Sequence, residues 1–210
     1  SGMTVFSFHP VKLITTGEGG MVATNDDELA ARLRLLRTHG ITRDAQCMVA
    51  EPEGPWSYEQ VELGFNYRIT DFQCALGTRQ LLRLDGFLAR RAALAARYDE
   101  LLAGLPVRPL ARRAGRDSGW HLYVVNVRRE AAHSRREVFE RLRAAGIGVN
   151  VHYIPVHLQP YYRARGFSPG DFPRAEAYYD TAITLPLFPA MTDADLGAVV
   201  AALPVALGQQ

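Results

Sequence analysis

Four short polar signatures, each just ahead of a run with helical periodicity, fix where this chain can be helical and so what it can fold into. Thr70 with Gln73, Ser134 with Glu137 and Thr192 with Asp195 each pair a hydroxyl with a side chain three residues on that can reach back to it. Asn25, followed by Asp26, Asp27 and Glu28 at the third position, is a looser version. They predict helices through DELAARLRLLRTH (27–39, closed by Gly40), through REVFERLRAAG (136–146) and through DADLGAVVAAL (193–203). The longest helical region runs from Thr70 to Gly104, with an interruption expected at Asp85–Gly86.

Short apolar runs fill the gaps. TVFSFH (4–9) and GMVAT (20–24) read as strands joined through a glycine-rich turn, TTGEGG; WHLYVVNVR (120–128) and VNVHYI (149–154) read as further strands, and ITLPL (183–187) as extended chain. Strands alternating with capped helices make an α/β protein, and from about residue 105 onward the pattern describes a compact α/β domain with a mixed or antiparallel sheet. Residues 41–69 have weak periodicity, two prolines and the aromatic anchors Trp56 and Tyr58; a connection that long serves a function or an intersubunit contact.

Composition narrows the partners. A net charge of +2 over 210 residues spreads no field that would hold nucleic acid or an anionic membrane. No run of 18 apolar residues occurs, and two cysteines, Cys47 and Cys74, cannot staple a fold and read as small buried fillers. A reducing cytoplasm fits best. Of the 24 basic residues, 23 are arginine and one, Lys12, is lysine. Base composition alone could leave one stray surface lysine; a reaction that needs a primary amine would require it.

Other chemistry is poorly supported. TTGEGG lacks the order of a dinucleotide-binding loop, and no phosphate-binding loop with its lysine is present. The six histidines are scattered; His152 and His157 are the closest grouping and read as a pocket wall rather than metal ligands. Asp117, Ser118 and His121 lack the strained elbow of a serine hydrolase. By contrast, SFHPVKLITTGEGG sets a lone amine just after a buried strand, with the Ser7 hydroxyl and His9 ring upstream, an arrangement suited to forming an imine with an aldehyde.

Four blocks in order, SFHPVKLITTGEGG (7–20), RTHG (37–40), GFNYRITDFQCALG (64–77) and VNVHYIPVHLQPYY (149–162), resemble the pyridoxal-phosphate-dependent sugar aminotransferases of the DegT/DnrJ/EryC1/StrS type. The wording of the first and last is most similar to the branch that aminates UDP-linked 4-keto-6-deoxy-N-acetylhexosamines toward pseudaminic acid. The resemblance implies a fold type I (aspartate aminotransferase-like) enzyme. Residues 1–85 would be part of the large cofactor domain, 86–104 a connecting helix and 105–210 the smaller C-terminal α/β domain.

It further implies that Lys12 holds pyridoxal 5'-phosphate as an imine and moves the proton, that Ser7 donates to its phosphate, and that Asn66, with Arg68, reaches the cofactor of a neighbouring subunit in a homodimer. His9, His152 and Tyr153 would line the sugar-nucleotide pocket, with a UDP-linked 4-keto sugar and an amino acid, glutamate, as substrates. Members of the family carry a phosphate-holding Gly-Thr segment, a ring-stacking aromatic residue and a ring-nitrogen aspartate upstream of the matched region, so the chain is expected to be a C-terminal half. Two alternatives are a related cofactor-dependent sugar dehydratase, which has histidine at the position of Lys12, and a catalytically silent fragment acting only in assembly.

Overall fold

The computed structural model describes residues 2–209. The chain divides between Leu84 and Asp85 into two compact units. In the first, β1 (Thr4–Ser7) and β2 (Gly20–Ala23) pair antiparallel, with Val5 opposite Val22 and Phe6 opposite Met21. Helix α1 (Asp27–Leu36) follows, capped by Asp26 rather than by the expected Asn25: its carboxylate accepts from the amides of Glu28 and Leu29, both at 3.0 Å. The shift leaves Asp27 and Glu28 in the first turn, where acidic groups favour the helix dipole.

Two-residue strands β3 (Ile41–Thr42) and β4 (Glu59–Gln60) pair across the long connection. Helix α2 (Asp71–Leu81) opens on the expected capping box of Thr70 and Gln73. Among the described residues of this unit only Thr16 and Gly40 are buried, and no hydrophobic side chain is. Both expected anchors are exposed, Trp56 at 70% and Tyr58 at 57%, and Cys47 and Cys74, expected as buried fillers, are exposed free thiols.

Helix α3 (Leu84–Leu101) starts ahead of the expected break: the interruption falls at Leu82–Arg83, and Gly86 stays helical. Asp85 sits in the first turn, so the pair read as a breaker serves as a helix start. Strands β5 (Val107–Pro109), β6 (Tyr123–Val127) and β7 (Ala182–Leu185) form one antiparallel sheet in the order β5–β6–β7. Helix α4 (Arg135–Ala144) lies between β6 and the short α5 (Pro160–Arg163) and α6 (Pro173–Thr181), and α7 (Asp193–Leu207) closes the unit. Ser134–Glu137 and Thr192–Asp195 form the expected capping boxes.

The core lies wholly in this second unit. Leu94, Tyr98 and Leu102 on the α3 side, Val138 and Leu142 on α4, and Leu196, Val199 and Leu203 on α7 recur three to four residues apart and pack against a β6 that is buried at every position. Each such side chain contributes about 1.5–3 kcal/mol on full burial. Arg91 is buried among them; its guanidinium donates to the carbonyls of Trp120 (2.9 Å), His121 (3.3 Å) and Leu187 (2.9 Å), and burial lowers its pKa. VNVHYI, expected as a strand, contributes one two-way bridge, Asn150 with Thr184; then the Asn150 side chain takes the Val151 amide at 2.8 Å and the chain turns away.

Candidate active site

The candidate residues fall into two groups, one in each unit. In the first, the β1–β2 ladder gains one more rung where the Phe8 amide donates to the Gly19 carbonyl (2.9 Å). The Phe8 carbonyl in turn accepts the Thr16 amide (3.0 Å) and the Thr15 hydroxyl (3.0 Å), so the ends of the 8–19 loop are tied together. At its far end the Lys12 amide donates to the His9 carbonyl (3.0 Å) and closes a tight turn. Lys12 is half-buried, and among the described residues no hydrogen bond or ion pair engages its amine. Ser7 lies exposed at the end of β1, and the His9 ring stands 3.8 Å from the Glu18 carboxylate.

RTHG and GFNYR form a single backbone ladder. The Phe65 amide donates to Leu36 (2.7 Å), His39 to Phe65 (2.8 Å) and Tyr67 to Arg37 (2.9 Å), with Thr38 and Asn66 bridged between them. The approach is close enough to require glycine: a Cβ on Gly64 would come within 2.6 Å of the His39 carbonyl carbon and 2.7 Å of the Leu36 oxygen, and nearer still to the Gly40 nitrogen. Gly40 itself has φ +69° and faces the Glu62 backbone. The ladder leaves Asn66 and Arg68 exposed, beside the stacked rings of Phe65 and Tyr67 (4.8 Å between centroids).

In the second unit, the His152 Nδ1 lies 2.7 Å from the Thr184 hydroxyl and its Nε2 3.5 Å from the Asn150 side-chain nitrogen. Burial lowers the His152 pKa and favours the neutral ring, whose tautomer these two contacts set. Tyr153 packs edge-on against it at 4.5 Å and is itself 67% exposed. His157 does not join them as a wall. It is buried, with Nε2 2.8 Å from a Glu176 carboxylate that also accepts the Gly170 amide; those bonds hold the Glu176 pKa below the ordinary carboxylate value. No group of three metal-ligating side chains occurs among the described residues.

A family model for the DegT/DnrJ/EryC1/StrS aminotransferases matches residues 1–204. The chain belongs to this family. It is 40% identical over 205 residues to the spore coat polysaccharide biosynthesis protein SpsC of Bacillus subtilis, covering 95% of this chain and 52% of that protein. Among solved structures it matches the sugar aminotransferase Spr1654 of Streptococcus pneumoniae in its PMP-form (TM-score 0.90, 32% identity, 99% of this chain and 53% of that one). It also matches PseC of Helicobacter pylori, an aminotransferase of pseudoaminic acid biosynthesis (TM-score 0.88, 28% identity, 99% and 54%).

The family and these neighbours are pyridoxal-phosphate-dependent sugar aminotransferases, consistent with fold type I. The chain spans about half the length of the curated relatives it matches. The chemistry of the residues around the Lys12 turn fits such a cofactor: one uncommitted amine for an aldehyde and an exposed hydroxyl, that of Ser7, for a phosphate. Sequence reasoning missed Thr16, which is buried behind the Lys12 turn, and Asn150 and Thr184, which hold His152. A threonine just ahead of a glycine-rich turn, and an asparagine two residues before a histidine, are the signals the sequence offers for the first two.

Proposed function

We propose that this chain is the lysine-bearing part of an aminotransferase that moves an amino group, from glutamate, onto C4 of a UDP-linked 4-keto-6-deoxy-N-acetylhexosamine on the way to pseudaminic acid or a related sugar. The observation that carries this reading is Lys12, the one lysine of the sequence, set on a hydrogen-bonded turn with no carboxylate partner among the described residues. Bound pyridoxal phosphate supplies an electron sink for a carbanion at the substrate carbon. Lys12 would hold that group through its Nζ, and the same amine would serve as the base that moves the proton at the substrate carbon. Ser7 donates its hydroxyl to the phosphate, and the Asn66 carboxamide, with the Arg68 guanidinium beside it, donates to the cofactor of a neighbouring subunit across a homodimer interface, where the exposure of both residues suits them. His9 borders the lysine turn, while His152 and Tyr153 contact the sugar nucleotide, His152 as a neutral hydrogen-bonding ring.

Lysine rather than histidine at position 12 argues against the dehydratase alternative. Two exposed free thiols suit a cytoplasmic location, and no helix of the described residues is long and apolar enough to cross a membrane. A second reading, that the chain acts only in assembly, draws on the absence of a buried hydrophobic side chain among the described residues of the first unit. Borohydride reduction after adding pyridoxal phosphate, followed by peptide mass spectrometry, tests the proposal: one pyridoxyl group is expected on the Lys12 peptide. Label on the N-terminal amine alone would favour the assembly reading. Glutamate-dependent amination of the 4-keto sugar, assayed with a full-length relative as control, tests the substrate.

A further inference from the structure

One side chain outside the proposed site ties the Lys12 loop to the helix behind it. Gln73 completes the capping box of α2 by accepting, through Oε1, from the Thr70 amide at 3.1 Å. Its Nε2 donates to the Glu18 carbonyl at 2.9 Å, 55 residues away in sequence. That carbonyl also accepts the hydroxyl of buried Thr16 at 2.7 Å, so two donors from different directions fix it. Thr16 closes the neck of the loop through Phe8, and its methyl group packs where a Cβ on Gly77, one helical turn beyond Gln73, would come within 2.8 Å. Ile69 packs at Gly19 on the same side.

A capping box is served equally by glutamine or glutamate, because it uses only an acceptor. The contact to Glu18 needs a donor as well, and only the carboxamide has both. The two partners also fix which way the amide faces, since Thr70 offers an N–H and Glu18 a carbonyl. We propose that Gln73 is a positioning residue for Lys12: it couples the start of α2, just after the Asn66–Arg68 segment, to the base of the turn that presents the amine. The inference rests on the reading of Lys12 as the cofactor-bearing lysine.

The two can be separated with the pyridoxal-phosphate-loaded protein and its Gln73→Glu variant. The change keeps the helix cap and sets a carboxylate against the Glu18 carbonyl in place of a donor. Far-ultraviolet circular dichroism and borohydride labelling at Lys12 should match the unsubstituted protein. The visible circular dichroism per bound cofactor, which reports a fixed orientation of the lysine-linked ring, should fall at least twofold. Gln73→Met, uncharged and of similar length, should show the same visible loss and decides the matter if the glutamate variant fails to fold. Visible dichroism unchanged in either folded variant, with Lys12 labelled, would overturn the positioning role and leave the lysine reading intact. Absence of label at Lys12 in the unsubstituted protein would overturn both.

Discussion

The close approach of Gly64 to the end of α1 gives a demanding test of how the first unit is built. In Gly64→Ala the three atoms nearest the new methyl group are all backbone: the Gly40 nitrogen, the His39 carbonyl carbon at 2.6 Å and the Leu36 oxygen at 2.7 Å. None of these can swing aside as a side chain would, so the ladder must open. Opening removes the Phe65-to-Leu36 and His39-to-Phe65 bonds, together worth about 2 kcal/mol net, and overpacking adds roughly 1 kcal/mol or more. A local loss of about 3 kcal/mol is on the order of a hundredfold in the opening equilibrium, at about 1.4 kcal/mol per decade. Amide hydrogen exchange at His39 and Phe65 reads it directly. Gly86→Ala is the control, because nothing lies within 4 Å of a Cβ there and alanine is readily accepted in the first turn of α3. Equal exchange at His39 and Phe65 in the two variants would refute the argument that backbone contact, rather than glycine flexibility, dictates position 64.

Lys12→Arg keeps the charge but removes the nucleophilic amine; pyridoxyl labelling at this position should vanish while the melting temperature stays within about 1 °C, since no ion pair is lost. Arg91→Met leaves the carbonyls of Trp120, His121 and Leu187 without their donor and should cost roughly 3 kcal/mol, on the order of 10 °C in the melting of the second unit, by calorimetry. The pKa of His152 is lowered in the fold, so the unfolded chain takes up the proton first as pH falls through about 6.5, and stability drops on the acid side only. His152→Gln should therefore lose less stability than the unsubstituted protein between pH 7.5 and pH 5.5; an equal loss would remove His152 from the account.

The helices with hydroxyl caps were legible because a cap is a local contract between residues three apart, and Thr70, Ser134 and Thr192 all keep it. What the sequence hid depended on distant partners. Nothing local distinguishes Asp26 from Asn25 as a cap, or says that Asp85–Gly86 begins a helix rather than breaking one. VNVHYI has the apolar pattern of a strand, yet the bonds of Asn150 and His152 to Thr184 fix it as a bridge and a bend. His157 and His152 look alike in sequence and part because Glu176 lies 2.8 Å from the first and Thr184 2.7 Å from the second. Motif blocks showed which residues to watch; their pairing, RTHG against GFNYR and TTGEGG against the start of α2, became visible only in three dimensions.

The uneven placement of the hydrophobic core makes the two units different thermodynamic systems. The second has an interior of its own and should melt at a temperature set by its sequence, independent of concentration. The unit that carries Lys12 exposes Val5 and Phe72 at 76% and 84%, so a partner that covers them should stabilise it by mass action. Its transition should rise with the logarithm of the covering partner's concentration. Limited proteolysis of dilute protein should then erode the chain toward Leu84 and leave 85–210 as the resistant piece.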